Sequence, residues 1–393
     1  MALSFKHQPT SGTSFLPAYN DNIYVVSESA SGTYSQFNFR FNCVIQDYGG
    51  GTPFSITMLK APIYYNSNNK GVFNIGRVLE NYVSYDWDYN DSAASGCNNS
   101  VFAYTSKFGY EYSTGATSPI VLSTGVTNES VRKVWNAALS PEELMNYAES
   151  DYRMATGSTA NFLTHNLNKR IHIDQKDWLY ALHAGVLNSL DVVFSPSGST
   201  TITGTAQDIT RFPIGANIPG GIPIGTKSYT ITPKNSAGTT VGSPYTITID
   251  DRCSKYSTVD LYFLNRLGGV ESFRFDMLRR QSVNYNRKSY NRNPYTLDNT
   301  AITYTYDSES HWKTDYYTDE ITRFTLNSNF ITEAEADWLK ELIGSPYVWM
   351  YDGTLKAVNI RTSEYERKYH VNDKVFNLTL EVEVSAMDKS QRR

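Results

Sequence analysis

Strict alternation of apolar and polar side chains is the feature that most limits how this chain can fold. In the segment 34–45, five apolar residues occupy every second position: Phe37, Phe39, Phe41, Cys43 and Ile45. The same spacing returns near the end of the chain, at Phe376, Leu378, Leu380, Val382 and Val384. Successive side chains of a β-strand point to opposite faces, so each segment is predicted to be a half-buried strand.

Composition extends this prediction to the whole chain. Only 19% of the residues are charged, whereas 14% are aromatic and tyrosine alone occupies 30 of 393 positions. Ser, Thr, Asn, Tyr and Gly take the place of the Lys and Glu that usually cover helices, and they favour strands and turns. We therefore expect a mainly β protein of several β-sandwich-like modules, and neither a helical bundle nor a coiled coil.

Two short helices are expected among the strands. The first, at about 140–150, has Ser140 as N-cap and Pro141 at the first helical position, and should run about three turns. The second, at about 333–343, begins at a capping box formed by Thr332 and Glu335, and Gly344 suits its end.

The strand pattern divides the chain into three predicted modules. Residues 1–154 form an N-terminal β-rich module, 155–255 a middle β module rich in Thr, Ser and Gly, and 256–393 a C-terminal β module with one capped helix. At roughly 100 to 200 residues per domain, the length is sufficient for this number.

Charge and motif content narrow the function classes. A net charge of −4 argues against general binding of nucleic acid or anionic membranes, although a local patch stays open. No apolar stretch approaches the roughly 18 residues of a membrane span, and the first ten residues lack a signal-peptide core, so we expect cytoplasmic synthesis and no membrane partner. His and Cys show no metal-ligand spacing and no nucleotide-binding or hydrolase motif occurs, so we expect no metal and no cofactor, although the absence of a motif does not exclude activity.

An acidic segment, Asp86-Trp87-Asp88-Tyr89-Asn90-Asp91, begins like a calcium loop. The match then fails, because Asp91 replaces the turn glycine and Cys97 stands where a bidentate Glu is needed. An exposed acidic loop is the favoured interpretation, while metal binding and a glycosidase-type carboxylate pair stay open.

A basic segment rich in tyrosine is the strongest candidate for a contact site, and we interpret it as a long polar loop. Its candidate contact residues are Arg279, Arg280, Tyr285, Arg287, Lys288, Tyr290, Arg292 and Tyr295. Basic residues with interleaved tyrosines suit a nucleic-acid backbone. They equally suit a subunit interface, where Arg and Tyr are frequent anchors. A subunit contact, a DNA contact and a plain solvated loop all remain open.

Three segments of the chain resemble virion proteins. The region from Phe324 through the Trp338 helix and the Asp352-Gly353 turn to the final strand resembles tail structural proteins of tailed bacteriophages. Residues 260–271 and 71–82 look like virion proteins of phages that infect Bacteroidetes, including the crAss-like group.

The resemblance implies a non-enzymatic virion structural protein in a tail ring, tail hub, collar or head–tail connection. Such a protein would form a cyclic homo-oligomer, with copies of itself and other tail or connector proteins as partners and genomic DNA in the channel as a further candidate. Its location would be the virion tail, assembled in the host cytoplasm. No catalytic residue carries over.

A carbohydrate- or receptor-binding module on the same virion is the main alternative. In that case Tyr85, Trp87, Tyr89 and Trp312 would stack on sugar faces, which requires their rings to be exposed in a groove.

Overall fold

Strands dominate the computed structural model of the chain, which confirms the predicted mainly β class. The structure describes residues 3–9, 15–29, 34–46, 54–65, 68–123, 127–128, 130–293, 295–298, 300, 303–306, 309, 311–362, 377–386 and 388–389. Within these residues, no helix has the length and apolar character needed to cross a membrane.

The chain divides into two compact units, Met1–Asp251 with Leu264–Glu271, and Arg252–Phe263 with Ser272–Arg393. The prediction of three modules stays a prediction.

The strands up to residue 251 are β1 (Leu3–His7), β2 (Phe15–Pro17), β3 (Ile23–Glu28), β4 (Gln36–Gln46), β5 (Phe54–Lys60), β6 (Ile63–Tyr65), β7 (Asn68–Asn74), β8 (Ser95–Gly96), β9 (Val101–Ser113), β10 (Val121–Leu122), β11 (Thr127–Asn128), β12 (Arg132–Trp135), β13 (Asn168–His172), β14 (Trp178–Leu182), β15 (Ser189–Ser195), β16 (Ser199–Thr203), β17 (Ile209–Pro213), β18 (Ser228–Lys234) and β19 (Tyr245–Asp250). They form four sheets, with strand orders β1-β3-β7-β6, β2-β12-β9-β4-β5 with β10 and β11 on β9, β13-β19-β18-β15-β16, and β14-β17-β8.

The later strands are β20 (Val259–Leu264), β21 (Val270–Phe275), β22 (Arg280–Asn291), β23 (Tyr295–Asp298), β24 (Thr303–Tyr306), β25 (Lys313–Asn327), β26 (Val348–Tyr351), β27 (Leu355–Ile360), β28 (Thr379–Val384) and β29 (Asp388–Lys389). Their main sheet has the order β21-β20-β26-β27-β28-β25-β22, with β29 on β25, and β23 pairs with β24 separately.

The alternating segment 34–45 is strand β4, and its predicted inward side chains are all buried. The Phe41 ring lies 4.8 Å from the Phe108 ring of β9 and 5.4 Å from the Phe73 ring of β7, between centroids. Because β7 and β9 belong to different sheets, this aromatic core joins two sheets face to face. The segment Gly49-Gly50-Gly51-Thr52-Pro53, which predicts a turn between β4 and β5, lies outside the described residues.

A second core fills the region from Met154 to Ile249 between the five-stranded and three-stranded sheets. Strand β8 completes the three-stranded sheet by pairing with β17, at Thr210 with Gly96 and Arg211 with Ser95. Residues from the predicted N-terminal module thus contribute to a sheet built mainly from the predicted middle module.

The helices are short: α1 (Gly76–Leu79), α2 (Pro141–Met145), α3 (Glu333–Trp338) and α4 (Lys340–Gly344), with 3-10 turns at Glu80–Tyr82 and Glu149–Asp151. Both predicted caps are present as reciprocal capping boxes, at Ser140 and Thr332. The predicted three-turn length of the first helix is wrong, because α2 has five residues. None of them is buried, so packing gives little reason for a longer helix.

The C-terminal half agrees with the sequence pattern at two further points. Gly353, at φ +105°, makes the turn from β26 to β27, a conformation that favours glycine. Leu378, Leu380 and Val382 are buried as predicted, while Phe376 lies outside the described residues.

Thr332 offers a direct test of helix capping. Its hydroxyl accepts a hydrogen bond from the Glu335 N–H at 3.2 Å, and the Glu335 carboxylate accepts one from the Thr332 N–H at 2.8 Å. We expect Thr332→Ala to lower the free energy of unfolding by about 1 kcal/mol and Thr332→Ser to restore most of it. Urea unfolding measures both, and equal stability of the two variants would contradict the capping role.

His183 is a buried histidine that the fold holds neutral. Its Nδ1 accepts hydrogen bonds from the N–H groups of Gly185 and Leu187 at 3.1 and 3.3 Å, and its Nε2 lies 2.8 Å from the hydroxyl of Thr210. Burial lowers the pKa of His183 from 6.5 to about 4, although the nearby Asp208 charge opposes this shift.

We therefore expect His183 to make stability depend on pH. The unfolded chain takes up a proton near its ordinary pKa while the folded chain does not, so the contribution is complete above about 6.5 and is lost as pH falls through about 4. As pH falls through this range, the difference in free energy of unfolding between wild type and His183→Asn should narrow by up to about 3 kcal/mol. Urea unfolding at several pH values tests this, and a constant difference would refute it.

Candidate functional site

Most of the basic tyrosine-rich segment is a strand, which corrects its interpretation as a loop. Residues Arg280–Asn291 form β22 and pair antiparallel with β25 at twelve positions, from Arg280 opposite Thr325 to Asn291 opposite Lys313. The backbone polar groups on one side of the segment are thereby satisfied. Sequence pattern missed the strand because polar side chains occupy both of its faces, which removes the alternation.

The pairing with β25 extends β22 away from the rest of the sheet. Strand β25 pairs with β28 only over 323–327 and with β29 only at Asp319 and Glu320. Beyond these contacts, residues 287–291 of β22 and 313–318 of β25 form a two-stranded ribbon. We call β22 together with 313–322 of β25 the ribbon arm, and its twelve paired residues span about 40 Å.

The two strands of the ribbon arm differ in exposure: β22 lies in solvent, whereas in 313–322 of β25 only Lys313, Asp315 and Tyr316 are exposed and Thr314 and Asp319 are buried. Every residue of β22 is exposed except the half-buried Val283. Three tyrosines present large ring surfaces, with exposed fractions of 54% for Tyr285, 48% for Tyr290 and 46% for Tyr316. Among the described strands, none pairs with the outer edge of β22.

Contacts between neighbours organise these exposed rings. The Arg287 guanidinium lies 5.7 Å from the Tyr285 ring centroid, and the Lys288 ammonium lies 5.3 Å from that of Tyr317. The Tyr290 and Tyr316 rings are 6.1 Å apart. Tyr316 and Tyr317 were missed in the sequence, although two adjacent tyrosines beside a basic segment are a usable signal. The arm thus presents adjacent aromatic and cationic groups, the residue types that anchor interfaces.

Arg279 is a basal anchor of the ribbon arm and not one of its exposed groups. Its guanidinium lies 3.3 Å from Asp352 Oδ2 and 5.9 Å from the ring of the buried Phe324. Burial alone would raise the pKa of Asp352, but the hydrogen bond and charge of Lys356, with the charge of Arg279, hold it below its ordinary value.

The other candidate contact residues lie along or beyond the arm. Arg280 and Arg292 are exposed, and the Arg292 N–H donates to the Trp312 carbonyl at 2.6 Å. Tyr295 begins β23, and its side chain lies outside the described residues.

Charge on the ribbon arm is mixed. Strand β22 carries three basic and no acidic side chains, but β25 carries three acidic ones beside two basic ones. Tyr285 lies opposite Glu320, and Ser289 lies opposite Asp315. A phosphate backbone on this ribbon would meet carboxylates as well as cations, so the arrangement favours a protein contact over a nucleic-acid contact.

Two carboxylates of the acidic segment, those of Asp86 and Asp91, form contacts within the fold. The Asp86 carboxylate accepts hydrogen bonds from the N–H groups of Asn99 at 2.7 Å and Ser100 at 3.1 Å, and Asp91 forms an ion pair with Arg211. Asp86 and Asp91 are half-buried, so the prediction of an exposed acidic loop holds for Asp88 but is wrong for these two. No group of three or more His, Cys, Asp or Glu that could hold a metal occurs among the described residues.

The aromatic residues of the carbohydrate alternative pack against other side chains. The Trp87 ring meets the buried Trp178 edge-on at 5.7 Å, and Lys176 Nζ lies 4.0 Å from the centre of the Tyr89 ring. Tyr85, Trp87 and Tyr89 are half-buried in the first unit, while Trp312 belongs to the second. Trp87 and Tyr89 therefore do not present the open faces that sugar stacking requires.

Comparisons with known proteins give little guidance. No protein-family model matches the sequence, and no curated protein matches it. A solved structure reported as structural insight into host cell surface retention of a 1.5-MDa bacterial ice-binding adhesin is similar over 84% of this chain and 92% of that chain. The identity is 9% and the TM-score is 0.19, so this likeness carries no argument.

The adjacent arginines at the base of the ribbon arm give a matched pair of variants. Arg279→Ala removes the contacts to Asp352 and Phe324 and should lower the free energy of unfolding by about 1 kcal/mol. Arg280→Ala removes an exposed side chain and should stay within about 0.5 kcal/mol of wild type. Urea unfolding compares them, and equal losses would show that Arg279 is no anchor.

Proposed function

We propose that this protein is a non-enzymatic structural component that assembles through its ribbon arm, in the tail of a tailed phage virion. The observation that carries the proposal is a two-stranded, tyrosine-rich ribbon that extends beyond the sheet and whose strand β22 has exposed side chains. The resemblance of the C-terminal region and of residues 71–82 to phage virion proteins suggests the assembly, a cyclic oligomer in a tail ring, hub or head–tail connection.

The ribbon arm has little hydrophobic support of its own. Two-stranded hairpins are marginally stable in water unless a third strand or a hydrophobic face supports them. Here the outer part, 287–291 with 313–318, has only two described strands, and Tyr290 and Tyr316 turn about half of their surface to solvent. A neighbouring subunit that covers these rings would supply the missing support.

The outer edge of β22 gives the partner a second means of contact. An unpaired strand edge offers N–H and C=O groups to an incoming strand, and natural proteins normally blunt or cover such edges. Exposed cations on β22 disfavour pairing with strands that carry no complementary charge. A partner strand with acidic side chains at the opposing positions would be attracted, so the cations make the contact selective. We propose copies of this chain as the first partner, and other tail or connector proteins as the second.

Mass measurement of the full chain tests the proposal. Wild type should form discrete oligomers in light scattering coupled to size exclusion, with rings in negative-stain images. The triple variant Tyr285→Ser, Tyr290→Ser, Tyr316→Ser should weaken association at least tenfold, because each anchor is worth more than about 1 kcal/mol and tenfold corresponds to about 1.4 kcal/mol. At a concentration low enough for both proteins to be monomeric, its unfolding curve should match that of wild type, since all three rings are exposed.

A second triple variant is the control. Tyr19→Ser, Tyr82→Ser and Tyr347→Ser remove three exposed tyrosines outside the arm, at 47%, 38% and 49% exposure, and should leave assembly unchanged. A chain that stays monomeric at every concentration, or oligomers that the arm variant leaves intact, would overturn the proposal. DNA binding that the variant Arg287→Gln, Lys288→Gln abolishes while assembly persists would assign the arm to nucleic acid instead.

A further inference from the structure

A lysine lies buried between two carboxylates in the first unit. The side chains of Lys169, Asp177 and Glu271 are 3%, 0% and 3% exposed. Lys169 lies in β13, Asp177 directly precedes β14, and Glu271 lies at the end of the segment Leu264–Glu271. Three ionisable groups shut away from water in one place are costly to keep as ions.

The distances place the lysine in contact with one carboxylate and near the other. Lys169 Nζ is 2.8 Å from Asp177 Oδ2 and 3.7 Å from Glu271 Oε2. The second carboxylate is held in place by Asn265, whose side-chain amide donates to Glu271 Oε1 at 2.6 Å and to the Leu163 carbonyl at 2.9 Å. A nucleophile, an acyl group and an oriented proton carrier therefore meet in one dry pocket.

We propose that Lys169 and Asp177 condense into an intramolecular isopeptide bond, with Glu271 as the proton carrier. Nζ gives one proton to the Asp177 carboxyl group and one to Glu271, and its freed lone pair forms a bond to Asp177 Cγ. A C–O bond of Asp177 then breaks as Glu271 returns its proton, and the oxygen leaves as water. The third Nζ proton remains as the amide N–H, so atoms and charge balance without any oxidant or co-reactant.

Burial and fixed geometry are what make this condensation feasible. In water an amine and a carboxylic acid rest as ions, but a low-dielectric interior favours the uncharged forms that react. Holding the two groups in contact removes the entropic cost of their encounter, an effect worth several orders of magnitude in rate. Neither condition exists before the chain folds, so the bond is a product of folding.

The bond would lock two sheets of the first unit together. Strand β13 pairs with β19 in the five-stranded sheet, whereas β14 pairs with β17 in the three-stranded sheet. An amide between Lys169 and Asp177 would tie these sheets covalently at the point where the chain passes from one to the other. Such a link resists separation under load, which suits a component of a mechanical assembly.

The mass of the intact, denatured protein tests the bond without any variant. Wild type should weigh one water less than its sequence. Trypsin should then leave residues 154–170 joined to residues 177–211, because the linked Lys169 resists cleavage while Arg153, Arg170, Lys176 and Arg211 are cut. Fragmentation of this joined pair locates the cross-link, and a mass equal to that of the sequence would overturn the proposal.

Two variants separate the chemistry from a structural ion cluster. Asp177→Asn should lose ammonia in place of water and reach the same final mass as wild type, since both yield the same amide. Glu271→Gln should keep the full mass of its sequence, because the proton carrier is gone, and circular dichroism checks that it folds. Should Glu271→Gln fail to fold, wild type still decides: full sequence mass refutes the bond, whereas the loss of one water with the joined tryptic pair supports it.

Discussion

Strand β25 is the element on which the second unit and its candidate site both depend. At its C-terminal end, Phe324 and Leu326 are buried, and the strand pairs with β28 on one side and β22 on the other. At its N-terminal end the same strand has only β22 as a described partner apart from the short contact with β29. One continuous backbone therefore runs from a packed sheet into the ribbon arm, and the candidate contact residues of β22 gain defined positions from that sheet.

Ion pairs at the base of this strand show that the structure depends on charged residues, although the chain has few of them. Glu383 of β28 is buried, although alternation predicts that it faces solvent, and Arg323 and Arg361 both contact its carboxylate. The hydrogen bond from Arg361 is the main cause that lowers the pKa of Glu383. A buried carboxylate is stable only when cations compensate it, so the few charges near the base of the arm hold adjacent strands in register.

Sequence predicts well the elements whose signals are local. The alternation of β4, the capping boxes at Ser140 and Thr332, and the turn at Gly353 each depend on residues within a few positions of one another. The length of α2, the strand β22 and the burial of Glu383 depend instead on partners distant in the chain. For β22 the partner begins at Lys313, and a strand exposed on both faces carries no apolar alternation that could reveal the pairing. The sequence therefore identifies the candidate contact residues by residue type. Their position on a strand depends on tertiary structure alone.

Tyrosine content by itself does not mark a contact surface in this protein. Tyr24, Tyr104, Tyr180, Tyr229 and Tyr262 are fully buried. Burial raises the pKa of Tyr104, Tyr180 and Tyr229 far above the ordinary value, so these rings belong to the cores. What distinguishes Tyr285, Tyr290 and Tyr316 is exposure on a ribbon that ordinary packing leaves uncovered.

A ribbon of this kind affects how subunits would associate. Ordering its exposed rings costs conformational entropy when a first pair of subunits forms, so single contacts are expected to be weak. In the closed ring that we propose, each arm would engage one neighbour while the subunit receives the arm of the other, and the final contact would form within a single assembly. Weak pairwise contacts together with ring closure favour complete rings over partial ones, which is the behaviour that an ordered tail assembly requires.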